Sequence, residues 1–404
     1  MLTNMQHPEF IHLDQCNFED FPPGGTLSFS LQMRKAFGNR IALAGIVTDN
    51  TPCGRWVEKK LHGVNYHFFA IGRIERQSTR PLIPTRLITY YLLRQQMRNM
   101  MGLGVRRIFT RTPQFMLSLK RSDWESICFC FAGTGNSVGL SRYPFLRWMG
   151  SLYEKCLFRS LVDNADCILA AADSRAIEAT IQRSHGVLRP GSIKAFPTRF
   201  DEKIFHPHER DECRRRLGLP LDRTIIAVNG RLCWVKGWPF VIQTLRHYLR
   251  INPSAMVIFI GDGEDRQQME TENYDLIQNG EVRITGLVSL SEVSEYLGAA
   301  DLVMIGSHEE GWSTAMIEAL ACGKPMVTTN ISGAQDMVLP DENGYILFDR
   351  NPLEAARALD QTLYLEGAGE KSYALSRQYN LHTLSSDLEV LWLRYRQGNP
   401  NGHT

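Results

Sequence analysis

Two carboxylates eight residues apart mark the part of this chain whose residue types and spacing could do chemistry. Glu310 and Glu318 lie in the stretch 309–325, EEGWSTAMIEALACGKP, where an acidic turn leads into a short apolar helix that a glycine and a proline end. The preceding residues 301–305, DLVMI, predict a strand, so Glu310 follows a carboxyl end, where open α/β sheets bind ligands. This layout predicts a site for an anionic ligand that is rich in hydroxyl groups.

The start of the predicted helix indicates where the anion would bind. Ser313 or Thr314 can cap the helix, and the free N–H groups of residues 312–315 would point out of an N-terminus that carries about half a positive charge. Such an end suits phosphate. Glu318 lies about one turn further along, where it could accept hydrogen bonds from sugar or ribose hydroxyls. An ordinary ion pair on a buried helix is the alternative interpretation of Glu318.

Basic residues and glycines upstream supply partners for a diphosphate. The stretch 225–238, IIAVNGRLCWVKGW, predicts a strand followed by Arg231 and by Lys236, which stands just before a helix. Arginine offers two parallel hydrogen bonds to an oxyanion, and lysine offers a compact charge. A second apolar strand, MVIFI, runs into Gly261 and Gly263 and opens a helix; a glycine loop of this kind is weak evidence by itself.

The order of these segments resembles the C-terminal domain of the retaining glycosyltransferases of family 4. The resemblance covers residues 197–395 and includes a helix predicted at 291–299 and the glycine turn and Asn-Gly loop of 331–347. It implies a GT-B fold, which is an α/β fold with two Rossmann-like domains whose mostly parallel sheets face a central cleft. It also implies a nucleotide-diphosphate sugar donor, no metal or other cofactor, and retention at the anomeric carbon.

Position by position, the resemblance assigns a role to each of the four charged residues. Arg231 and Lys236 resemble the pair that neutralises the donor diphosphate. Glu310 resembles the glutamate that faces the donor sugar, and Glu318 the one that holds the ribose. The further residues predicted to bind the donor are Gly311, Trp312, Ser313, Thr314, Gly261, Gly263 and Val288. Ser313 departs from the family, which frequently has glycine at its position.

The expected reaction is a front-side displacement. The acceptor hydroxyl attacks the anomeric carbon on the face that the diphosphate leaves, and the departing phosphate oxygen takes the acceptor proton. Arg231, Lys236 and the amides of residues 312–315 would stabilise the leaving group electrostatically. The chain has no Asp-x-Asp triplet, which argues against a divalent metal ion that holds the diphosphate.

The N-terminal half predicts a second α/β domain. Apolar runs that alternate with helical segments predict a mostly parallel sheet, and they lie at 10–13, 41–47, 64–71, 106–110, 127–132 and 167–172. The expected domains are an acceptor-binding domain at 1–196, a donor-binding domain at 197–375, and a C-terminal helix within 376–404 that packs back on the first domain.

Four residues of the N-terminal half are predicted to line the cleft: Gly24, Gly25, Arg111 and Asn136. The two glycines fall at the first strand-to-helix turn, where a backbone without Cβ atoms can approach a ligand. Arg111 ends a strand and could meet an anionic acceptor. Asn136 or Thr134 could replace a histidine that many family members carry in this loop. For each of them a purely structural role is the alternative.

Charge separates the two halves of the chain. Residues 1–200 contain 26 lysines and arginines against 14 acidic residues, and the remainder contains 19 against 29. Within the basic half, residues 86–107 predict a helix with apolar residues on one side and arginines beside them. This helix could lie on an anionic membrane surface or pack on its own sheet. No nucleic-acid-binding motif accompanies the arginines, so nucleic acid is not expected as a partner.

The sequence as a whole is expected to belong to a cytoplasmic enzyme, associated at most with the inner face of the cell membrane. It has no apolar run of the roughly 18 residues that cross a bilayer and no signal peptide. The expected function is transfer of a hexose from a UDP- or GDP-linked donor to a glycan or lipid-linked oligosaccharide in bacterial surface polysaccharide synthesis, such as that of lipopolysaccharide, O-antigen or capsule. The alternatives are a sugar phosphorylase, a nucleotide-sugar epimerase and a non-catalytic partner subunit with the same fold.

Overall fold

Apolar strands form two separate sheets in the computed structural model of the chain, which describes residues 7–22, 24–76, 84–133, 135 and 148–394. Each sheet organises one compact unit. The first unit comprises residues 1–197 together with 382–404, and the second comprises residues 198–381.

The first unit is built on an eight-stranded sheet with the order β3-β4-β2-β1-β5-β6-β7-β8. Its strands are β1 (Phe10–Leu13), β2 (Ile41–Val47), β3 (Trp56–Leu61), β4 (Val64–Arg73), β5 (Arg107–Thr110), β6 (Ser126–Phe131), β7 (Cys167–Ala170) and β8 (Ile193–Ala195). Neighbouring strands are parallel except for β3 and β4. This pairing confirms the predicted mostly parallel sheet. Burial of β1, β2 and β6 along their whole length explains their continuous apolar sequences.

The helices of the first unit cover this sheet. They are Gly25–Phe37, Thr85–Met101, Pro113–Met116, Gly150–Asn164, Ser174–Arg183 and Leu384–Leu388. The helix Thr85–Met101 buries Leu93, Met97 and Met100 in the core of the unit, while its arginines stay exposed. Of the two interpretations of this basic segment, the structure therefore favours a helix packed on its own sheet. None of the helices described in the structure is long and apolar enough to span a membrane.

The second unit has a six-stranded, wholly parallel sheet with the order β11-β10-β9-β12-β13-β14. Its strands are β9 (Ile225–Asn229), β10 (Met256–Ile260), β11 (Val282–Ile284), β12 (Leu302–Ile305), β13 (Met326–Thr329) and β14 (Gly344–Leu347). Its helices are Arg210–Leu217, Trp238–Tyr248, Arg266–Glu272, Tyr274–Gln278, Leu290–Ala299, Thr314–Ala321, Ala334–Met337, Pro352–Thr362 and Ala368–Ser376.

The C-terminal helix predicted within 376–404 forms only from Leu384. The helix Ala368–Ser376 gives way to a short turn, and Asn380 is extended because it pairs with Phe200. The Phe200 N–H donates to the carbonyl of Tyr379, and the Leu381 N–H donates to the carbonyl of Phe200. These backbone bonds replace the helical ones, so the chain leaves the second unit here before it forms a new helix from Leu384.

Trp392 fixes the last described segment to the first unit. Its ring is 5% exposed and lies 5.2 Å from the ring centroid of Phe10 and 6.3 Å from that of Phe109. Its Nε1–H donates to Ser126 Oγ at 2.8 Å.

We expect Trp392→Ala to destabilise the first unit by about 3–5 kcal/mol, because it leaves a cavity against β1 and β5. Urea unfolding followed by circular dichroism measures the change. Val390→Ala is the matched control, since Val390 is 64% exposed two residues away. Equal, small losses in both variants would contradict the packing of Trp392.

Candidate functional site

The carboxyl ends of β9 and β12 bound a cleft in the second unit. The two strands are neighbours, with β10 and β11 on one side and β13 and β14 on the other, and such a switch point is where open α/β sheets bind ligands. The cleft is lined by Asn229, Gly230, Arg231, Leu232 and Lys236 after β9 and by Gly306, Ser307, Glu310, Ser313 and Ala315 after β12. The structure therefore brings Arg231, Lys236 and Glu310 together.

Lys236 and Glu310 form an ion pair across the cleft. The Lys236 Nζ lies 2.5 Å from Oε1 of Glu310, and the Ser307 hydroxyl donates to the same oxygen at 2.7 Å. The lysine side chain is 31% exposed and the glutamate 13%. The carboxylate is thus held in one orientation while the ammonium stays accessible to a ligand. The role of Ser307 was not predicted; a hydroxyl two residues after a buried strand was the available signal.

Backbone contact sets the spacing of the two loops that carry this pair. A Cβ on Gly237, whose φ is 75°, would lie 1.8 Å from the carbonyl oxygen of Gly306, so only glycine fits. The His308 N–H donates to the Val235 carbonyl at 2.8 Å. Arg350 also donates to the carbonyl of Gly306 at 2.8 Å. These contacts hold the loops rigidly and position the ion pair.

Glu318 lies on the next helix and contacts Asn229. The Asn229 Nδ2–H donates to Oε2 of Glu318 at 3.0 Å. Although part of this side chain is exposed, burial of the carboxyl raises the pKa of Glu318 from 4.5 to about 8, opposed by the Asn229 hydrogen bond and the charge of Lys236. Asn229 was not among the predicted site residues; a polar amide at the end of an apolar strand could have indicated it.

The helix that carries Glu318 begins at Thr314, with Ser313 at the N-cap position. The expected side-chain cap is not formed, because the Ser313 hydroxyl makes no hydrogen bond to the helix. Within the part of the chain that the structure describes, Ser313 Oγ and Asn229 Oδ1 are buried without a hydrogen-bond partner. Buried polar atoms in this state are costly, and both belong to residues that line the cleft, so a polar ligand could satisfy them.

Arg231 lines the cleft but is more loosely held than Lys236. Its side chain is 58% exposed, and its Nε lies 3.9 Å from an oxygen of Glu264. A guanidinium in this state can reorient toward an entering anion.

Gly261 and Gly263 do not line the cleft but pack against the loop that lines it. A Cβ on Gly261 would lie 2.3 Å from the carbonyl oxygen of Gly230, and one on Gly263 would lie 2.1 Å from that of Leu232. Both glycines thus let their loop pack against the loop that carries Arg231. This gives them a packing role, and their predicted contact with a donor stays a prediction.

The other predicted donor-binding residues are not among those that line the cleft. Trp312 is buried, and its ring packs edge-on against Tyr379 with centroids 5.6 Å apart. Gly311, Thr314 and Val288 are half-buried. Contact between these residues and a donor stays a prediction.

The residues predicted from the N-terminal half belong to the first unit. Gly24 and Gly25 are exposed where the helix Gly25–Phe37 begins, and Arg111 is buried just after β5. Asn136, like Thr134, lies outside the described residues. Over the ranges that the structure describes, no three or more His, Cys, Asp or Glu side chains form a group that could hold a metal ion.

Comparison with known proteins agrees with this architecture. Residues 209–378 match the family model of glycosyl transferases group 1. The chain is 26% identical over 219 residues to D-inositol 3-phosphate glycosyltransferase of Acidothermus cellulolyticus. The aligned region covers 51% of this chain and 48% of that protein. The chain spans about half the length of the curated relatives of this name that it matches.

Two solved structures are similar over nearly the whole chain. Sucrose-phosphate synthase from Thermosynechococcus elongatus has a TM-score of 0.75 at 20% identity, over 96% of this chain and 98% of that one. Anabaena HepE in complex with UDP-glucose has a TM-score of 0.69 at 15% identity, over 94% and 98%. With two parallel-sheet α/β units, these likenesses define a protein of the GT-B fold, as the sequence predicted. The residues that match the group 1 family model, 209–378, lie within its second unit.

We expect Glu318→Gln to remove part of the pH dependence of stability. Between pH 4.5 and about 8 the unfolded chain ionises Glu318 while the folded protein retains the proton, so the free energy of unfolding falls as pH rises through this window. Glutamine does not titrate, and the fall from pH 5.5 to 8.5 should shrink by more than about 1 kcal/mol. Urea unfolding at both pH values measures it.

Glu309→Gln is the control for this comparison, because Glu309 is an exposed carboxylate nearby. It should leave the fall of the wild-type protein unchanged. An equally steep fall in Glu318→Gln would show that burial does not hold a proton on Glu318.

Proposed function

We propose that the protein is a glycosyltransferase that moves a hexose from a UDP- or GDP-linked donor to an acceptor hydroxyl, with retention at the anomeric carbon and without a metal ion. The observation that carries the proposal is the Lys236–Glu310 pair, held by Ser307 at the switch point of the second sheet. The group 1 family match and the UDP-glucose complex of a structural neighbour support a nucleotide-sugar donor.

Release of the diphosphate is the step that this cleft is best equipped to assist. Negative charge develops on the leaving oxygen, and preorganised donors aimed at it lower the barrier. Lys236 is partly exposed and Arg231 largely so, and the helix that starts at Thr314 opens on the same cleft without an acidic residue in its first turn. Its free N–H groups and positive end add to the two cations.

The two glutamates suit the hydroxyl groups of the donor. Glu310 keeps one carboxylate oxygen on Lys236 and Ser307, so its other oxygen can accept a hydrogen bond from the hexose. Glu318 and the Asn229 amide lie side by side and present both acceptors and donors, which fits the paired hydroxyls of a ribose. No side chain needs to act as nucleophile in a front-side displacement.

The acceptor in this proposal is a glycan or lipid-linked oligosaccharide of bacterial surface polysaccharide synthesis, modified at the inner face of the cell membrane. Charge supports it, since Arg86, Arg94 and Arg98 are exposed on one helix of a unit rich in basic residues. Sedimentation with vesicles of anionic phosphatidylglycerol at low salt should carry the protein down, and Arg86→Gln, Arg94→Gln and Arg98→Gln together should weaken this. A protein that stays in the supernatant would remove the membrane from the proposal.

Donor binding and turnover test the central proposal. We expect calorimetry to detect micromolar binding of one nucleotide or its sugar conjugate among UDP, GDP and ADP, unchanged by EDTA. Lys236→Ala and Glu310→Ala should each lower turnover at least a hundredfold with the fold retained, and Arg231→Lys should also lose activity because the guanidinium fork is lost. The anomeric configuration of the product is determined by NMR.

Glu309→Ala provides the control, as it removes an exposed carboxylate next to Glu310 and should leave turnover unchanged. Near-normal activity of Lys236→Ala or Glu310→Ala would refute the site. Loss of nucleotide binding in EDTA, or an inverted product, would refute the metal-free retaining reaction. Absence of binding to every nucleotide would favour a non-catalytic protein.

A further inference from the structure

The first sheet has its own switch point, between β1 and β5. From β1 the chain continues to β2 and β4 on one side, and β5 to β8 extend on the other. Asp14 directly follows β1, and Arg111 and Thr112 directly follow β5. The rule that places ligands at the carboxyl ends of strands beside a switch point applies here as it does in the second unit.

We propose that Arg111 binds an anionic group of the acceptor, a carboxylate or a phosphate, so that the acceptor is an acidic or phosphorylated sugar. The identification of this ligand as the acceptor rests on the proposed glycosyltransferase function. The anion site itself rests on the first unit alone.

Arg111 is a buried cation without a hydrogen-bond or ion-pair partner among the described residues. Its residue is 5% exposed, and among the described residues its Nε and Nη1 have no hydrogen-bond partner. No carboxylate of the described ranges forms an ion pair with it. A guanidinium keeps its charge at neutral pH, and a buried charge is strongly disfavoured unless an opposite charge or hydrogen bonds compensate it.

The titratable groups around Arg111 form no ion pair with it. Asp14 is fully buried, and its oxygens accept from Thr112 at 2.7 Å, from Ser30 at 3.2 Å and from a backbone N–H at 2.8 Å. Burial raises the pKa of Asp14, opposed by these hydrogen bonds and by the charge of Arg111. Burial and then the charge of Arg111 lower the pKa of His12 to about 3. Burial raises the pKa of the Cys130 thiol to about 11.

The Arg111 guanidinium lies beside the first turns of the helix Gly25–Phe37. One face of the guanidinium lies 4.0 Å from the ring centroid of Phe29, about one turn into the helix Gly25–Phe37. That helix has no acidic residue in its first turn and no side-chain cap. A Cβ on Gly24 or Gly25 would meet nothing within 4 Å. An anion on the arginine fork could therefore also meet the free N–H groups of the helix N-terminus.

The ligand is assigned to the acceptor because the donor already has cations of its own. Lys236 and Arg231 line the cleft of the second unit, whereas Arg111 lies in the first unit. Arginine pairs with planar carboxylates and with phosphates through two parallel hydrogen bonds, so uronic acids and sugar phosphates share the chemistry that this site would recognise.

Calorimetry of the full chain with glucuronic acid, glucose 6-phosphate and neutral glucose tests this inference. We expect the wild-type protein to bind at least one acidic sugar more than tenfold tighter than glucose, and Arg111→Gln to lose that preference. Arg106→Gln is the matched control, since Arg106 is exposed at the opposite end of β5. The relative strength of the two acidic ligands distinguishes a carboxylate from a phosphate.

Two further readouts separate a binding role from a structural one. The melting temperature of Arg111→Met without ligand should equal or exceed that of the wild type, because the variant removes an uncompensated buried charge; a marked drop would assign Arg111 to the fold and overturn the proposal. An acidic sugar should raise the melting temperature of the wild type but not of Arg111→Gln. Equal binding of acidic sugars by Arg111→Gln, or no binding by the wild type, would also overturn it. Donor binding should be unchanged in Arg111→Gln. If the wild-type protein binds no donor, the proposed function fails, whereas the anion site is judged by the binding of acidic sugars.

Discussion

The candidate site depends on the backbone contact between the two loops that follow β9 and β12. Gly237 and Gly306 approach so closely that a single methyl group on Gly237 would collide with a carbonyl oxygen. Since these loops carry Lys236 and Glu310, the backbone contact fixes the spacing of the two chain positions that form the ion pair. Gly261 and Gly263 act in the same way, because without side chains they let their own loop pack against the loop that carries Arg231. The cleft is therefore preorganised by close packing of backbone, which is the condition under which electrostatic stabilisation is most effective.

Burial has different electrostatic consequences in the two units. In the second unit, burial makes Glu318 retain a proton that water would remove. In the first unit, burial raises the pKa of Asp14 and lowers that of His12, whereas Arg111 keeps its charge and has no hydrogen-bond partner on Nε or Nη1 among the described residues. Acids and imidazoles adjust to a dry environment by changing protonation, whereas arginine can only adjust by acquiring a partner.

The sequence was most informative where local pattern and tertiary structure agree. Buried strands such as β1 and β2 have apolar runs that match their observed bounds. The edge strand β3 was missed because three of its six residues, Glu58, Lys59 and Lys60, are charged. Lys236 and Glu310 could be named from motif order, whereas Ser307 and Asn229 were not named, because their hydrogen bonds to Glu310 and Glu318 become visible only in the folded chain. The C-terminal helix was predicted to begin too early, because its start is set by the pairing of Asn380 with the distant Phe200.

Because residues 382–394 return to the first unit, the two units do not complete their folding on the ribosome in the order in which they begin. The second unit, residues 198–381, is complete as soon as its last residue emerges, whereas the first still lacks Trp392, which packs on Phe10 and Phe109. Domains usually mature in the order of their synthesis. Here the half that is made first is finished last, and until then the surfaces of β1 and β5 under Trp392 remain uncovered.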